Sequence, residues 1–566
     1  MKLLYFNLIL FFALVMTHIA HGQIQEASAS NKNKPEREEW LKDAGFGMFI
    51  HWGIDSQLGM VISHSLVGAS EDYVDRYIEQ LPRNFNPVDW NPEKIATLAE
   101  NAGMQYVVFT TKHHAGFCFW DTETTDFNVT NTPYQKDILG ELVEALRRHG
   151  LAVGFYYSPE DFLYYYQQGV KDIRRVNHWK SAPQIHDKYL AYTRAQINEL
   201  TKNYGQVDLF FIDSEVMLEE VKELVWENQP NCLITRGALP TPEQSVPGEE
   251  IETAWESCMT MGTQWNYKPT NEHYKSGTLL INLLIEARAR GGSFLLNVGP
   301  GPWGDLNEGQ QGRLIEIAAW NFVNQEAIQD VRPWAVSHEG DIWFTRHREN
   351  NTVYAYLTNQ PNWTRGDRKE FLLRSVKATA DTKISVLGQS GNLVEYQPDT
   401  DGTARFEATD EGLTVSVVRA QRIYNNHQWP NPIVVKLENV EPALRPARFA
   451  TEPARVDADG TITFALEISE VGGGQAFKGG FEYRRKQSTL SENFDPSWKS
   501  TSLFPVKEPG AYQLEITDPE LGRLPTTESG SAKVANPSFL EGGVEYRAVL
   551  YQDGLRLEGG VESLSE

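Results

Sequence analysis

Cysteine is scarce: Cys118, Cys232 and Cys258 are the only three in 566 residues. Three thiols set along apolar runs make neither a disulfide framework nor a Cys-x-x-Cys metal site, so the fold must rest on its core. Basic charge is short too. Lys and Arg number 52 against 76 Asp and Glu, a net charge of −24. A phosphate backbone or anionic membrane needs clustered Lys and Arg, so nucleic acid is not an expected partner. Past the N-terminus no apolar run approaches the roughly 18 residues of a membrane helix, so no membrane span is expected. A Gly-x-Ser-x-Gly elbow is missing, as is a cysteine set beside a histidine and an amide. The Gly-rich "GGSFLLNVGPGPWG" (291–304) contains a strand and lacks a phosphate-cradle spacing. Metal-dependent barrels place two histidines one residue apart on their first strand, but here His51 stands alone. His113 and His114 are adjacent, and strand alternation sends them to opposite sides unless the strand bends. The reading is therefore no catalytic metal and no cofactor.

What is present begins with "MKLLYFNLILFFALVMTHIAHGQ": one lysine, an apolar run and the small-x-small site Ala20-His21-Gly22. This is the pattern of a signal peptide over residues 1–22, and it implies export to a periplasmic or extracellular space. At 566 residues the chain exceeds one ordinary core. Residues 23–335 alternate short apolar runs with amphipathic stretches such as "PEKIATLAENAG" and "DILGELVEALRRHG". Each stretch starts behind Pro or Asp and stops at Gly, as helices do. The runs are "GMFIHWG", "YVVFTTKHH", "AVGFYYSP", "VDLFFID", "CLITRG", "TAWESC" and "SFLLNVGP". Strand-length runs separated by helices predict an α/β fold, a (β/α)8-like TIM barrel. Residues 336–430 read as an antiparallel β-sandwich. Residues 431–566 read as a second β-rich, immunoglobulin- or fibronectin-like domain, a spacer rather than a polysaccharide binder.

The polar residues converge. His51, His113, His114, Tyr156, Asp213, Arg236, Glu256 and Asn297 all fall at or past the ends of their runs. In a barrel those ends share one face, where active sites of this fold lie. With nucleophilic serine, cysteine and metals set aside, carboxylates remain. Glycoside hydrolysis needs two, with polar side chains and aromatic faces to hold a sugar. The chain has 15 Trp to draw on.

Several motifs in order resemble the α-L-fucosidases of glycoside hydrolase family 29. They are "FGMFIHWG" (46–53), "TTKHHAGFCFWDTETTDFNV" (110–129), "GFYYSP", "VDLFFID", "TPEQ" (241–244), "WESCMTMGTQWNY" (255–267) and "GGSFLLNVGPGPWG". The resemblance implies a retaining mechanism with Asp213 as nucleophile. Glu243, in "TPEQ", is the first choice for the acid/base and Glu256 the runner-up; Glu249, Glu250 and Glu252 read as solvated loop charges. His51, His113, His114, Tyr156, Phe211 and Arg236 match or approximate the sugar-holding shell. Ala115 replaces an acid common in relatives, and Phe211 stands where some carry Trp. The usual Glu-Trp after the first strand gives way to "SHSLVGASEDY", where Glu71 or His64 could substitute. The implied partner is a fucosylated oligosaccharide or polysaccharide. The alternatives are an exo-α-L-galactosidase acting on algal-type polysaccharide, since L-galactose differs only by a C6 hydroxyl, and a non-catalytic carbohydrate-binding protein.

Overall fold

The computed structural model describes residues 30–564, apart from 171–182, 249–250, 252, 365, 391–398, 420–430, 457–461, 474–476, 486–497, 517–543 and 553–554. The expected signal peptide and the charges Glu249, Glu250 and Glu252 lie outside the described residues.

Seven parallel strands organise the first half. They are β1 (Phe46–Ile50), β2 (Tyr106–Lys112), β3 (Ala152–Tyr157), β4 (Leu209–Ile212), β5 (Leu233–Ile234), β6 (Glu256–Thr260) and β7 (Ser293–Val298). Their order is β5-β4-β3-β2-β1-β7-β6. Both faces of such a sheet are covered, one by helices and one by its own curled interior, so its strands read as near-continuous apolar runs. Met48, Val107, Phe155, Phe210 and Leu296 are all buried. The helices between strands begin where side chains satisfy their first N–H groups. Asn91 accepts from the Lys94 amide ahead of Pro92–Asn101, and Asp137 from the Gly140 amide ahead of Ile138–Arg148.

The sheet is a curled half-barrel, and among the described residues no ladder joins β5 to β6. An extended segment runs along the free edge of β6 instead. The Glu256 and Cys258 amides donate to the Pro240 and Pro242 carbonyls at 3.1 and 3.0 Å, and the Gln244 amide donates to Cys258 O at 2.9 Å. Glu243 rides on this segment, bridged in parallel to Cys258.

Further antiparallel sheets come next, from β8 (Val331–Glu339), β9 (Ile342–His347), β10 (Val353–Leu357), β11 (Arg368–Leu373), β12 (Val376–Val386), β13 (Arg405–Thr409), β14 (Gly412–Val418) and β15 (Ile433–Pro442). Sheet β12-β15-β10-β9-β8 faces sheet β11-β14-β13, with Phe344, Ala355, Val415 and Val435 in the common core. The expected boundary at 335/336 falls inside β8. The boundary near 430 also moves, because β15 returns to pair with both β10 and β12. The first unit therefore ends at Pro442. Beyond it, strands Arg448–Val456, Ile462–Glu470 and Gly510–Ile516 form one sheet, while Phe477–Arg485 and Val544–Gln552 pair in another. Phe464, Phe477, Phe481 and Tyr483 are core residues there. Trp498 lies under the guanidinium groups of Arg484 and Arg547, each 4.4 Å from its ring.

Candidate active site

Asp213 comes one residue after β4 and still keeps the ladder, its amide donating to the Tyr157 carbonyl at 3.1 Å. Its backbone is therefore as fixed as the strand, while its side chain stands at the strand's C-terminal end. The Tyr156 hydroxyl donates to Asp213 Oδ2 at 2.6 Å. His114 Nε2 lies 3.7 Å from the same oxygen, and Arg236 Nε lies 3.6 Å from Oδ1. Burial alone would raise the carboxyl's pKa. The charge of Arg236, the neighbouring His114 and His113 and the Tyr156 hydrogen bond outweigh it and hold the group well below the usual range. Asp213 is therefore an ionised carboxylate with 19 % of its side chain exposed.

Arg236 joins it to a second carboxylate. Its NH1 donates to Glu243 Oε2 at 3.1 Å, and the Glu243 side chain is 42 % exposed. One planar guanidinium thus holds Asp213 and Glu243, with Glu243 on the solvent side. Phe211 supports both neighbours of Asp213 from below. Its ring stacks on Tyr156 at 5.6 Å, and the Arg236 guanidinium sits 5.5 Å above it. Phe211 is itself buried, so it is a floor for the site more than a wall of it.

Both adjacent histidines approach Asp213, against simple alternation, because β2 bends. Its register against β3 slips between Thr110 and Lys112, and the chain then turns through Gly116, whose φ of 87° suits glycine. A Cβ there would stand 2.4 Å from Asp161 Oδ1. That carboxylate pairs with buried Lys112 at 3.1 Å and caps the helix Phe162–Gln167. The turn is thus pinned between β2 and β3. His113 stacks on Tyr156 at 5.2 Å and 9°, and the His114 amide donates to its Nδ1 at 2.9 Å. His114 Nδ1 meets Ser158 Oγ at 2.6 Å.

His51, just past β1, completes the ring of aromatic groups. Its imidazole lies 5.8 Å from His113, 5.4 Å from Tyr156 and 4.8 Å from Trp265. His113, His114 and Asp213 offer ligand atoms all within 4.8 Å of one another, a spacing a cation could bridge. The positive charge facing Asp213 is nonetheless already supplied by Arg236.

Two expected members stand elsewhere. Glu256 opens β6 rather than closing it, so it lies at the opposite end of the strand from the Asp213 face. It pairs in register with Ser293, the first residue of β7, and accepts from the Tyr106 hydroxyl at 2.5 Å, Tyr106 being the first residue of β2. The apolar Ala254 and Trp255 before it belong to the buried floor, which is why the run "TAWESC" read as a strand ending at Glu256. Glu71 is exposed in the first turn of helix Glu71–Asn84 and is not among the described groups around Asp213. Ser158 and Trp265, which touch the histidines, received no role from the sequence. Their presence within the motifs "GFYYSP" and "WESCMTMGTQWNY" was the only signal.

The family described as Alpha-L-fucosidase matches residues 12–326, more than half of the chain. The chain belongs to the alpha-L-fucosidase family. Tissue alpha-L-fucosidase of Mus musculus is 28% identical over 397 residues, covering 64% of this chain and 86% of that protein. Alpha-L-fucosidase isoenzyme 1 from Paenibacillus thiaminolyticus superposes with a TM-score of 0.56 at 26% identity, over 72% of this chain and 99% of its own. The alpha-L-fucosidase from Vibrio sp. strain EJY3 extends the likeness of fold to 93% of this chain and 98% of its own, with a TM-score of 0.61 at 20% identity. In this alpha-L-fucosidase family member, the matched region contains Asp213, Glu243, Arg236 and the three histidines. Among the described residues no helix is long and apolar enough to cross a membrane.

Proposed function

We propose that the chain is an exo-acting, retaining α-L-fucosidase that removes terminal α-L-fucosyl residues from oligosaccharides or polysaccharides. The observation that carries this is the ionised Asp213 sharing Arg236 with a solvent-side Glu243. Retaining enzymes need such a pair about 5–5.5 Å apart. Asp213 Oδ2 is occupied by Tyr156, which leaves Oδ1 to attack C1. The C1–O bond to the leaving group breaks as Glu243 delivers its proton to that oxygen, and the fucosyl group becomes an ester of Asp213. Glu243 then takes a proton from water, whose oxygen attacks C1 and returns Asp213 to its carboxylate.

Arg236 supports the exchange of roles. While Asp213 is charged, the guanidinium is divided between two acids. Once Asp213 is an ester, the guanidinium still holds Glu243 in place for the second step.

We further propose a (β/α)8-like barrel whose missing wall is the extended segment 240–244, and export of the protein on the strength of the apolar N-terminal run. The test is hydrolysis of an aryl α-L-fucoside and an aryl α-L-galactoside, with the anomer of the first product followed by NMR. Faster release from the fucoside, initially as the α-anomer, is expected. Release of the β-anomer, or sugar binding without turnover, would overturn the proposal.

A further inference from the structure

Asn297 is buried near the end of β7 and holds two partners whose chemistry leaves it one orientation. Its Nδ2 donates to the Trp265 carbonyl at 2.7 Å. A carbonyl only accepts, so the amide nitrogen must face it. The other end, Oδ1, lies 2.7 Å from His51 Nδ1. An amide oxygen also only accepts, so Nδ1 must carry the proton of a neutral His51, leaving Nε2 with its lone pair. The adjoining ring is set the other way: His113 Nδ1 accepts from the His114 amide, so its proton sits on Nε2.

We infer that Asn297 is a positioning residue that fixes the His51 tautomer, making Nε2 the acceptor of a sugar hydroxyl proton, with His113 Nε2–H as the complementary donor. This rests on the fucosidase reading, because the ligand is the substrate of that same site. Trp265 serves the device twice, its ring packed against His51 and its carbonyl orienting Asn297. The groups around His51 are Phe49, His113, His114, Tyr156, Asp213, Arg236 and Trp265. Burial pushes the His51 pKa down to about 4, against the Asn297 hydrogen bond and Asp213, which raise it. A neutral imidazole at working pH is what the tautomer argument requires.

The test is 15N NMR of histidine-labelled protein, with His51 assigned by its loss in His51→Gln. The wild type should show a protonated Nδ1 and a pyridine-like Nε2 at His51. Asn297→Leu removes the acceptor and should move the proton to Nε2. It should also lower kcat/KM on an aryl α-L-fucoside by about ten- to a hundredfold, mostly through KM. Asn297→Asp keeps the acceptor for His51 Nδ1 but loses the donor to the Trp265 carbonyl, so it should restore the Nδ1 proton and only part of the activity. Its acid limb should lie at higher pH, because a carboxylate favours the imidazolium. A wild-type His51 protonated on Nε2, or a Leu variant with an unchanged tautomer, would overturn the inference. Should Asn297→Leu fail to fold, the wild-type spectrum alone decides. Absence of fucoside hydrolysis would sink the functional reading, while the spectrum would still judge the tautomer.

Discussion

The two ends of the curled sheet each hold a carboxylate, and the two have opposite fates. Asp213 stands at the C-terminal end among Arg236, His113, His114 and the Tyr156 hydroxyl, and is held ionised. Glu256 stands at the N-terminal end of β6 with the Tyr106 hydroxyl on one oxygen. Burial pushes its pKa up to about 7, with hydrogen bonds from Tyr106 and Thr235 pulling the other way. Desolvation acts on both. What differs is the company of positive charge: Arg236 acts on Asp213, while among the described residues no charged group shifts Glu256. A buried acid is therefore no sign of catalysis by itself; the charges gathered around it are the sign.

The contrast can be broken most forcefully at the upper end. Asp213→Asn should cut kcat on an aryl α-L-fucoside by at least about a thousandfold, since no attacking carboxylate remains. Glu243→Ala should cost about 10²–10⁴-fold on natural substrates that need protonation of the leaving oxygen. It should cost less on an activated aryl fucoside, and added azide should restore turnover there by yielding a fucosyl azide. If Glu256→Ala gives that azide response and Glu243→Ala does not, the acid/base assignment moves to the floor of the sheet.

Arg236→Met sharpens the comparison by removing the charge that separates the two environments. A loss of about 10²–10³-fold in kcat is expected, as for other lost electrostatic clamps. The pH profile carries the finer signature. Asp213 must be ionised, so activity exists above its pKa and is lost as pH falls through it. His51 must be neutral as well, and Arg236 lowers the pKa of both groups, so without Arg236 the acid limb should move up in pH. A variant with reduced activity but an unmoved limb would show that Arg236 binds substrate without tuning either group.

The smallest catalytic effect is expected below. Glu256→Gln should leave kcat/KM within about twofold, because the side chain is remote from the reacting atoms. Its effect should appear in stability. The folded-state pKa is raised from 4.5 to about 7, so the native state keeps a proton that the unfolded chain releases across this window. The stabilisation is complete below about 4.5 and is lost as pH rises to about 7, by roughly 3 kcal/mol at most. Gln cannot ionise, so the variant should melt above the wild type at pH 8 and near it at pH 5. Equal melting shifts at both pH values would contradict this account of Glu256.

The sequence made the upper end legible because each strand announced itself as an apolar run and its polar residue came last. Asp213 after "LFFI", Tyr156 in "AVGFYY" and His51 after "GMFI" are all of this kind. Glu256 was misplaced because Ala254 and Trp255 look like strand residues, although β6 starts only after them. His113 and His114 broke the alternation rule through a bend whose cause, the Gly116 approach to the Asp161–Lys112 pair, is tertiary. Asn297 was visible as a strand-end amide, but its partners are set by a loop 32 residues away in sequence at Trp265. The end of the sandwich was missed for a similar reason. Local composition around "NNHQWPNP" suggests a domain boundary, and only pairing with β10 and β12 joins Ile433–Pro442 to the sheet before it.

The most direct test is to inactivate the protein with 2-fluoro-fucosyl fluoride and map the adduct by mass spectrometry. One covalent fucosyl group on the peptide carrying Asp213, formed by wild type and not by Asp213→Asn, is the predicted result. An adduct on Glu243 or Glu256, or steady hydrolysis with inversion and no adduct, would contradict the assignment of Asp213 as the attacking group.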